Sequence, residues 1–185
     1  KEIMRWRNDP DTLRFSYHHE AKVWEEFFPV FLAEYFSHPL LPPLFILVNG
    51  ERTGFVLFKE IYHPRRTQAD ISINIAPNFR GKGIGSRALS ELQEWMKVRG
   101  IDDAVAEMRV GNEASIKAFE KAGFQYVETI ERHVSDTGER AKAHQYRLSL
   151  TPENGRSQVF IIAEAGSNWV VNGEKEGLER AKQMI

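Results

Sequence analysis

Period-two alternation marks the centre of the chain. Between Ala69 and Ile75, Asp70, Ser72 and Asn74 alternate with Ile71, Ile73 and Ile75, the pattern of a half-buried strand. Pro77 cannot continue a ladder and Asn78 suits a turn, so the strand ends there. After Arg80-Gly81-Lys82-Gly83-Ile84-Gly85 the period changes. Ile84, Leu89, Leu92, Trp95 and Met96 recur at helical spacing, and Gly100 closes a helix running from Gly85 to Val98. Upstream, the pattern predicts a helix ending over Glu2–Asn8 and stopped by Asp9-Pro10-Asp11. An aromatic helix follows over Ala21–Phe36, which Pro29 should break or kink. Leu44–Val48 and Gly54–Lys59 read as strands joined by the strong hairpin signal Asn49-Gly50, with a polar connector over Glu60–Gln68. Downstream, Asp103–Val110 is a strand, and Asn112 caps a short helix that starts at Glu113 and stops at Gly123. Gln125–Arg132 then pairs with Ala143–Leu150 around a polar loop.

Composition narrows the class. At 185 residues the chain can bury the core of one full domain and part of another. A net charge of −1 gives no basic excess for nucleic acid or an anionic membrane. No apolar run is long enough to span a bilayer, and no signal-peptide pattern opens the chain. The absence of cysteine excludes disulfides, a cysteine nucleophile and thiolate metal sites, and fits a cytoplasmic location. The chain opens at Lys1 inside a helix-like segment and closes at Ile185 inside another, so both ends read as cut.

A glycine-rich turn between a strand and a helix start has a physical use. The first helical N–H groups lack intrahelical partners and carry the positive end of the macrodipole, and glycines let them approach phosphate oxygens. Arg80 and Lys82 add cationic donors, worth about 1.5–3 kcal/mol each in charge-assisted contacts. Gly81, Gly83 and Gly85 are spaced two apart, which excludes the dinucleotide pattern G-x-G-x-x-G. Gly83 follows Lys82, which excludes the nucleoside-triphosphate loop. What fits is Arg-x-x-Gly-x-Gly on Arg80, Gly83 and Gly85, and here the chain resembles the pyrophosphate loop of the GNAT superfamily of acyl-CoA N-acyltransferases. A second stretch, Asn112-x-x-Ser115-x-x-x-x-Glu120-Lys121-x-Gly123-Phe124, resembles that family's second acyl-CoA segment. The resemblance covers residues 1–150, in the family's order of elements with its first strand missing.

The resemblance implies a fold of the α/β (α+β) class, a mixed, mostly antiparallel sheet flanked by helices. It implies acetyl-CoA as cosubstrate and no metal. Ile73, Asn74 and Ile75 would line the acetyl group and supply a backbone N–H to the thioester oxygen. Arg80, Gly81, Lys82, Gly83, Gly85 and Ser86 would hold the pyrophosphate, and Asn112 and Ser115 the pantetheine arm. Phe119 stands where many members carry a tyrosine that protonates the coenzyme thiolate, and phenylalanine has no proton to give. Tyr146, Ser115 or water could replace it, or the thiolate leaves unprotonated, with a thiol pKa of about 8.5. Glu60, His63 and Asp70 are candidate bases, each weighed against a merely polar surface role. Arg5-Trp6-Arg7-Asn8-Asp9-Pro10 resembles a segment of RimJ-like and amino-sugar-acetylating members. There Trp6 reads as a core anchor, while Arg7 and Asn8 are divided between a helix-end cap and the acceptor site, to which Tyr62 and Asp70 are also assigned.

The tail begins afresh. Residues 151–158 read as a linker by composition, and Val159–Trp169 is an apolar strand ending in Glu164 and a small-residue turn. A helical pattern follows, as at the opening of a parallel α/β barrel. The letters resemble the first strand of sialic-acid-synthase-like enzymes (the NeuB group), in which Glu164 and Asn168 would face the sugar. The expected organisation is thus a GNAT domain over 1–150, a linker over 151–158 and the truncated start of a nonulosonate-synthase-like barrel over 159–185. On that footing the chain acetylates an amino sugar, a nucleotide-linked 4-amino-deoxy sugar of nonulosonate biosynthesis. A homodimer and fusion to the synthase in the intact protein are further expectations, with no nucleic-acid or membrane partner. A RimJ-like acetyltransferase of protein N-termini and a non-catalytic acyl-CoA-binding module are the alternatives, the second kept open by Phe119.

Overall fold

Alternating strands need cover on both faces, and helices before and after the central strand supply it. The computed structural model describes residues 1–36, 40–61 and 66–151, the side chains of residues 60 and 61 excepted. The elements run α1 (Glu2–Arg7), α2 (Pro10–Arg14), α3 (Trp24–Tyr35), β1 (Leu44–Val48), β2 (Glu51–Ile61) and β3 (Gln68–Ile75). They continue with α4 (Ile84–Val98), β4 (Asp103–Arg109), α5 (Glu113–Lys121), β5 (Gln125–His133) and β6 (Arg140–Ser149). The sheet has the order β1-β2-β3-β4-β6-β5, and β3–β4 is its parallel pair among antiparallel neighbours. Tyr62, His63 and the whole tail over 152–185 lie outside the described residues, as does the side chain of Glu60.

The two sheet faces carry separate cores. On one, Val56, Phe58, Ala69, Ile71, Ala104, Ala106 and Met108 meet Leu89 and Met96 of α4 and Ile116 and Phe119 of α5. On the other, Phe55 and Leu57 meet Ile3 and Trp6 of α1 and Phe27, Phe31 and Tyr35 of α3. Phe27, Phe31 and Tyr35 recur every four residues, so one stripe of α3 faces the sheet. Trp6 is the expected core anchor, stacked on Phe55 with ring centroids 6.1 Å apart.

The structure departs from the sequence reading at three places, each for a local reason. Asp9-Pro10-Asp11 ends α1, as expected, but also starts a second helix: the Asp9 carboxylate accepts from the Thr12 N–H, and Pro10 occupies the first helical position, where its missing N–H costs nothing. Pro29 lies within α3, which continues through it on the exposed side, where water can satisfy the carbonyl that loses its partner. The strand partner of the hairpin, β2, extends to Ile61 into the expected connector, because β3 pairs with it residue by residue from Gly54–Ile75 to Ile61–Gln68.

Candidate active site

The centre of the molecule is a fork. Parallel pairing of β3 with β4 is confined to Gln68–Asp103, Ala69–Ala104 and Asp70–Val105. Beyond Asp70, β3 stays with β2 as far as Ile75, while β4 stays with β6 as far as Arg109, so the two strands part. The Ala76 N–H donates to the Thr53 carbonyl of β2. Because strand backbone groups alternate sides, the N–H groups of Ile73 and Ile75 face the other edge, the one that opens between β3 and β4. The Asn74 N–H faces β2, so of the three residues expected to line an acyl group, Ile73 and Ile75 carry the outward backbone donors.

The glycine loop closes the end of this fork. Gly81 and Gly83 have φ of +75° and +73°, a region that side chains with a Cβ rarely adopt, and Gly83 is the residue preceding α4. Gly85 lies against Ile75 and Ala118, which brings the start of α4 onto the end of β3 and onto α5. The Ser86 hydroxyl donates to the Gly83 carbonyl at 3.0 Å, and Lys82 donates to the Asn78 carbonyl at 3.0 Å. Arg80, expected as a phosphate donor, is engaged within the chain. Its Nε donates to the Ile75 carbonyl at 3.0 Å, its Nη1 pairs with Asp9 at 2.7 Å, and its Nη2 donates to Thr12 Oγ1 at 2.9 Å. The guanidinium therefore clamps the end of β3 to the start of α2. Burial raises the Asp9 pKa, but the bonds from Arg80 and Thr12 outweigh it and hold the carboxyl below its usual range.

On the α5 side, Asn112 Oδ1 accepts from the Ser115 N–H at 3.3 Å, an N-cap that orients the start of the helix. Phe119 is 2% exposed and meets Phe124 edge-on at 4.9 Å, a packing role. Tyr146 donates its hydroxyl to Glu120 at 2.9 Å, and burial together with that bond pushes its pKa up to about 12.

The face of the fork turned toward α1–α3 is polar. Asp70 stands at the last paired position, and burial, with Glu107 nearby, raises its pKa to about 6 against the pull of Lys59 and Arg132. Glu107 forms a two-pronged pair with Arg132, from β5. Lys59, opposite Asp70 on β2, donates to Glu34 at 3.0 Å. Above them runs the connector between α2 and α3. The Tyr17 carbonyl accepts from Ser135, the His19 N–H donates to Asp136 at 2.7 Å, and Arg109 donates to the Ser16 carbonyl at 3.0 Å. The Tyr17 hydroxyl is buried among these charges, and burial raises its pKa.

Asn8 and Arg7 are held by contacts within the chain. Asn8 clamps the backbone of Lys22 with two bonds of 2.8 Å, mimicking a strand partner, which uses both ends of its amide. Arg7 stacks over Phe27 at 5.7 Å. Thr12, Tyr17 and Glu107 were not identified from the sequence. Thr12 lies just past the Asp9-Pro10-Asp11 stop, and Tyr17 in the connector between α2 and α3, where no local pattern marks either. Glu107 is a charged position on a strand whose polar face only the fork reveals.

Among the described residues no group of side chains is arranged to hold a metal ion, and no helix is long and apolar enough to cross a membrane. An acetyltransferase of Pectobacterium atrosepticum is 33% identical over 91 residues, 48% of this chain and 62% of its own length. N-alpha-acetyltransferase 30 of Schizosaccharomyces pombe is 29% identical over 97 residues, 51% of this chain and 65% of its own. The chain thus spans less than two thirds of the length of these curated relatives. Spermidine N-acetyltransferase from Vibrio cholerae, solved in complex with CoA and spermine, shares the fold with a TM-score of 0.68 at 14% identity, over 80% of this chain and 88% of that one. The profile of the Acetyltransferase (GNAT) family matches residues 1–124, which take in the fork, the glycine loop and the α5 segment, and the chain belongs to that family.

Proposed function

We propose that the chain is an acetyl-CoA-dependent N-acetyltransferase whose primary-amine acceptor arrives from the α1–α3 side of the fork. The observation that carries this reading is the asymmetry of the fork. Ile73 and Ile75 offer backbone N–H groups at its open edge, one face is closed by the α4–α5 core, and the other is lined by polar side chains. Acetyl-CoA fits these residues: α4 starts at left-handed glycines suited to a pyrophosphate, and the open edge suits the amides of an extended arm. When bound it supplies an acetyl thioester. A thioester oxygen held by N–H groups in the plane of the sheet leaves the carbonyl carbon open only above and below that plane. The lower side is apolar and packed, so the amine comes from the polar side.

The residues then divide the work. Ile73 and Ile75 stabilise the developing oxyanion, an interaction worth about a hundred- to a thousand-fold in rate per donor. Asp70 takes the proton that the amine must lose. It lies three residues, about 10 Å of strand, from Ile73, so the transfer passes through intervening water. The amine nitrogen bonds to the acetyl carbon, the carbon–sulfur bond breaks, and the coenzyme leaves as thiolate. A phenol held near 12 makes Tyr146 a poor donor to a thiolate of pKa about 8.5, and solvent supplies that proton instead.

The acceptor class proposed is an amino sugar, a nucleotide-linked 4-amino-deoxy sugar of nonulosonate biosynthesis. The mixed donors and acceptors of the polar face support a hydroxylated acceptor, and the synthase-like letters of the tail support the pathway. The domain division at 150, the linker, a homodimer, a cytoplasmic location and a fused synthase in the intact protein belong to the same reading. A RimJ-like acetyltransferase of protein N-termini is the second reading, favoured by the match to N-alpha-acetyltransferase 30. Thiol release with acetyl-CoA and a panel of 4-amino sugars, polyamines and peptides tests both: turnover with peptides alone removes the sugar. Coenzyme binding without any turnover favours a non-catalytic module. Arg80→Ala should weaken acetyl-CoA binding by releasing the end of β3 and the loop after it. An affinity within twofold of wild type would detach this loop from the donor site.

A further inference from the structure

Among the described residues, Asn74 Oδ1 is one of few buried side-chain polar atoms with no hydrogen-bond partner. Its orientation is set by its neighbours. Thr12 Oγ1 receives Arg80 Nη2 at 2.9 Å and Asn74 Nδ2 at 3.3 Å, which uses both lone pairs of the hydroxyl oxygen. Its single proton turns to Asp9 Oδ2 at 3.4 Å, an acceptor that cannot donate. Arg80 can only donate, and with its proton on Asp9 the Thr12 hydroxyl offers Asn74 an acceptor. The amide accordingly presents Nδ2 to Thr12 and turns its carbonyl oxygen away. A network of four side chains from α2, its cap, β3 and the loop fixes the polarity of one amide and leaves its oxygen unpaired.

The location matches the chemistry. Asn74 lies between Ile73 and Ile75, whose N–H groups face the open edge, and successive strand residues are about 3.3 Å apart. Its side chain leaves β3 on the polar face, where it meets Thr12. An amine approaching a carbonyl held at Ile73 from that face passes this amide first, whereas Asp70 is a water relay away. We propose that Asn74 Oδ1 accepts an N–H of the attacking amine and aims its lone pair at the acyl carbon, and that Thr12 is the positioning residue that orients it. This rests on the acetyltransferase reading above.

The test uses the amine that wild type acetylates fastest among a nucleotide-linked 4-amino-4-deoxy sugar, spermidine and an alanyl peptide. Acetyl-CoA affinity is measured in parallel by calorimetry. Asn74→Leu should lower kcat/KM for the amine by about 10- to 100-fold while acetyl-CoA affinity stays within about threefold. Thr12→Val should lower kcat by about 5- to 10-fold, and Thr12→Ser should restore it. In Asn74→Asp both side-chain oxygens accept, so adding Thr12→Val should change kcat no further. That pair also decides the matter if Asn74→Leu does not fold. Wild-type kinetics in Asn74→Leu, failure of Thr12→Ser to rescue, or an undiminished Thr12→Val effect in the Asn74→Asp background would each overturn the proposal. A wild type inactive on all three amines removes the acetyltransferase reading and this inference with it. An active wild type with unmoved variants removes this inference alone.

Discussion

Asp70 shows how one residue couples fold and chemistry. It occupies the last paired position of β3 and β4, so it is buried enough to resist ionisation yet borders the opening. Burial first, and Glu107 second, lift its pKa from the ordinary 3.8 to about 6. The native state therefore binds more protons than the unfolded chain between pH 3.8 and 6, and stability falls as pH rises through that window. Two pKa units at about 1.4 kcal/mol each put the loss at about 2–3 kcal/mol. As the proposed base, Asp70 must be ionised to work, so kcat/KM should rise through pH 6 to a plateau while stability declines. Asp70→Asn should melt at higher temperature than wild type at pH 7.5, lose roughly a hundredfold or more in kcat/KM, and show no limb near pH 6. A limb that survives in Asp70→Asn would assign the base to another group.

At the scale of elements, the fork depends on how closely β2 and β3 approach. A Cβ at Gly54 would lie 2.4 Å from the Asn74 carbonyl oxygen, a backbone atom that cannot swing away. Gly54→Ala must push β3 sideways at the residues that border the fork, and forced shifts of this kind cost about 1–3 kcal/mol. At Gly83 there is room for a Cβ, but φ of +73° makes the cost about 1–2 kcal/mol of backbone strain at the start of α4. Both variants should lower the melting temperature. Gly54→Ala should mainly slow turnover, and Gly83→Ala mainly weaken acetyl-CoA binding; the reverse pattern would mean that the two glycines serve other parts of the site. Most elements were legible in the sequence because their signals are local. The Ile71–Ile75 alternation, the Asn49-Gly50 turn and the Asn112 cap each depend on residues within a few positions. The fork was not legible from these residues, since no local pattern says where two parallel strands stop pairing. The partners of Arg80 were hidden for the same reason. A cation in a glycine loop reads as a phosphate donor, and nothing local announces that Asp9 and Thr12, some seventy positions away, also pair with it.

The molecule as a whole is closed by a buried charge. Asp103, fully buried, receives Arg66 at 2.6 and 3.1 Å and Arg147 at 2.9 Å, and these bonds hold its carboxyl below the usual range despite burial. Arg66 also donates to the Asp102 and Thr151 carbonyls and to Ser149 Oγ, and the Thr151 hydroxyl donates to Asp102. The start of β3, the start of β4 and the end of β6 are thus knotted at Thr151. A depressed carboxyl pKa contributes stability that is present above the unfolded value and lost as pH falls through the folded one, so this knot should loosen only in acid, below about pH 4. If the domain ends here, a chain stopping at Thr151 should keep the melting temperature within about 2 °C and acetyl-CoA affinity within about twofold. A chain stopping at Leu148 loses the hydrogen bonds of Ser149 and Thr151, each worth about 1 kcal/mol. Its melting temperature should drop by roughly 5–10 °C. Calorimetric scans of the two truncations beside the 185-residue chain distinguish the outcomes. A large drop already at Thr151 would make the segment after it part of the acetyltransferase domain and would remove the boundary on which the separate synthase-like reading of the tail depends.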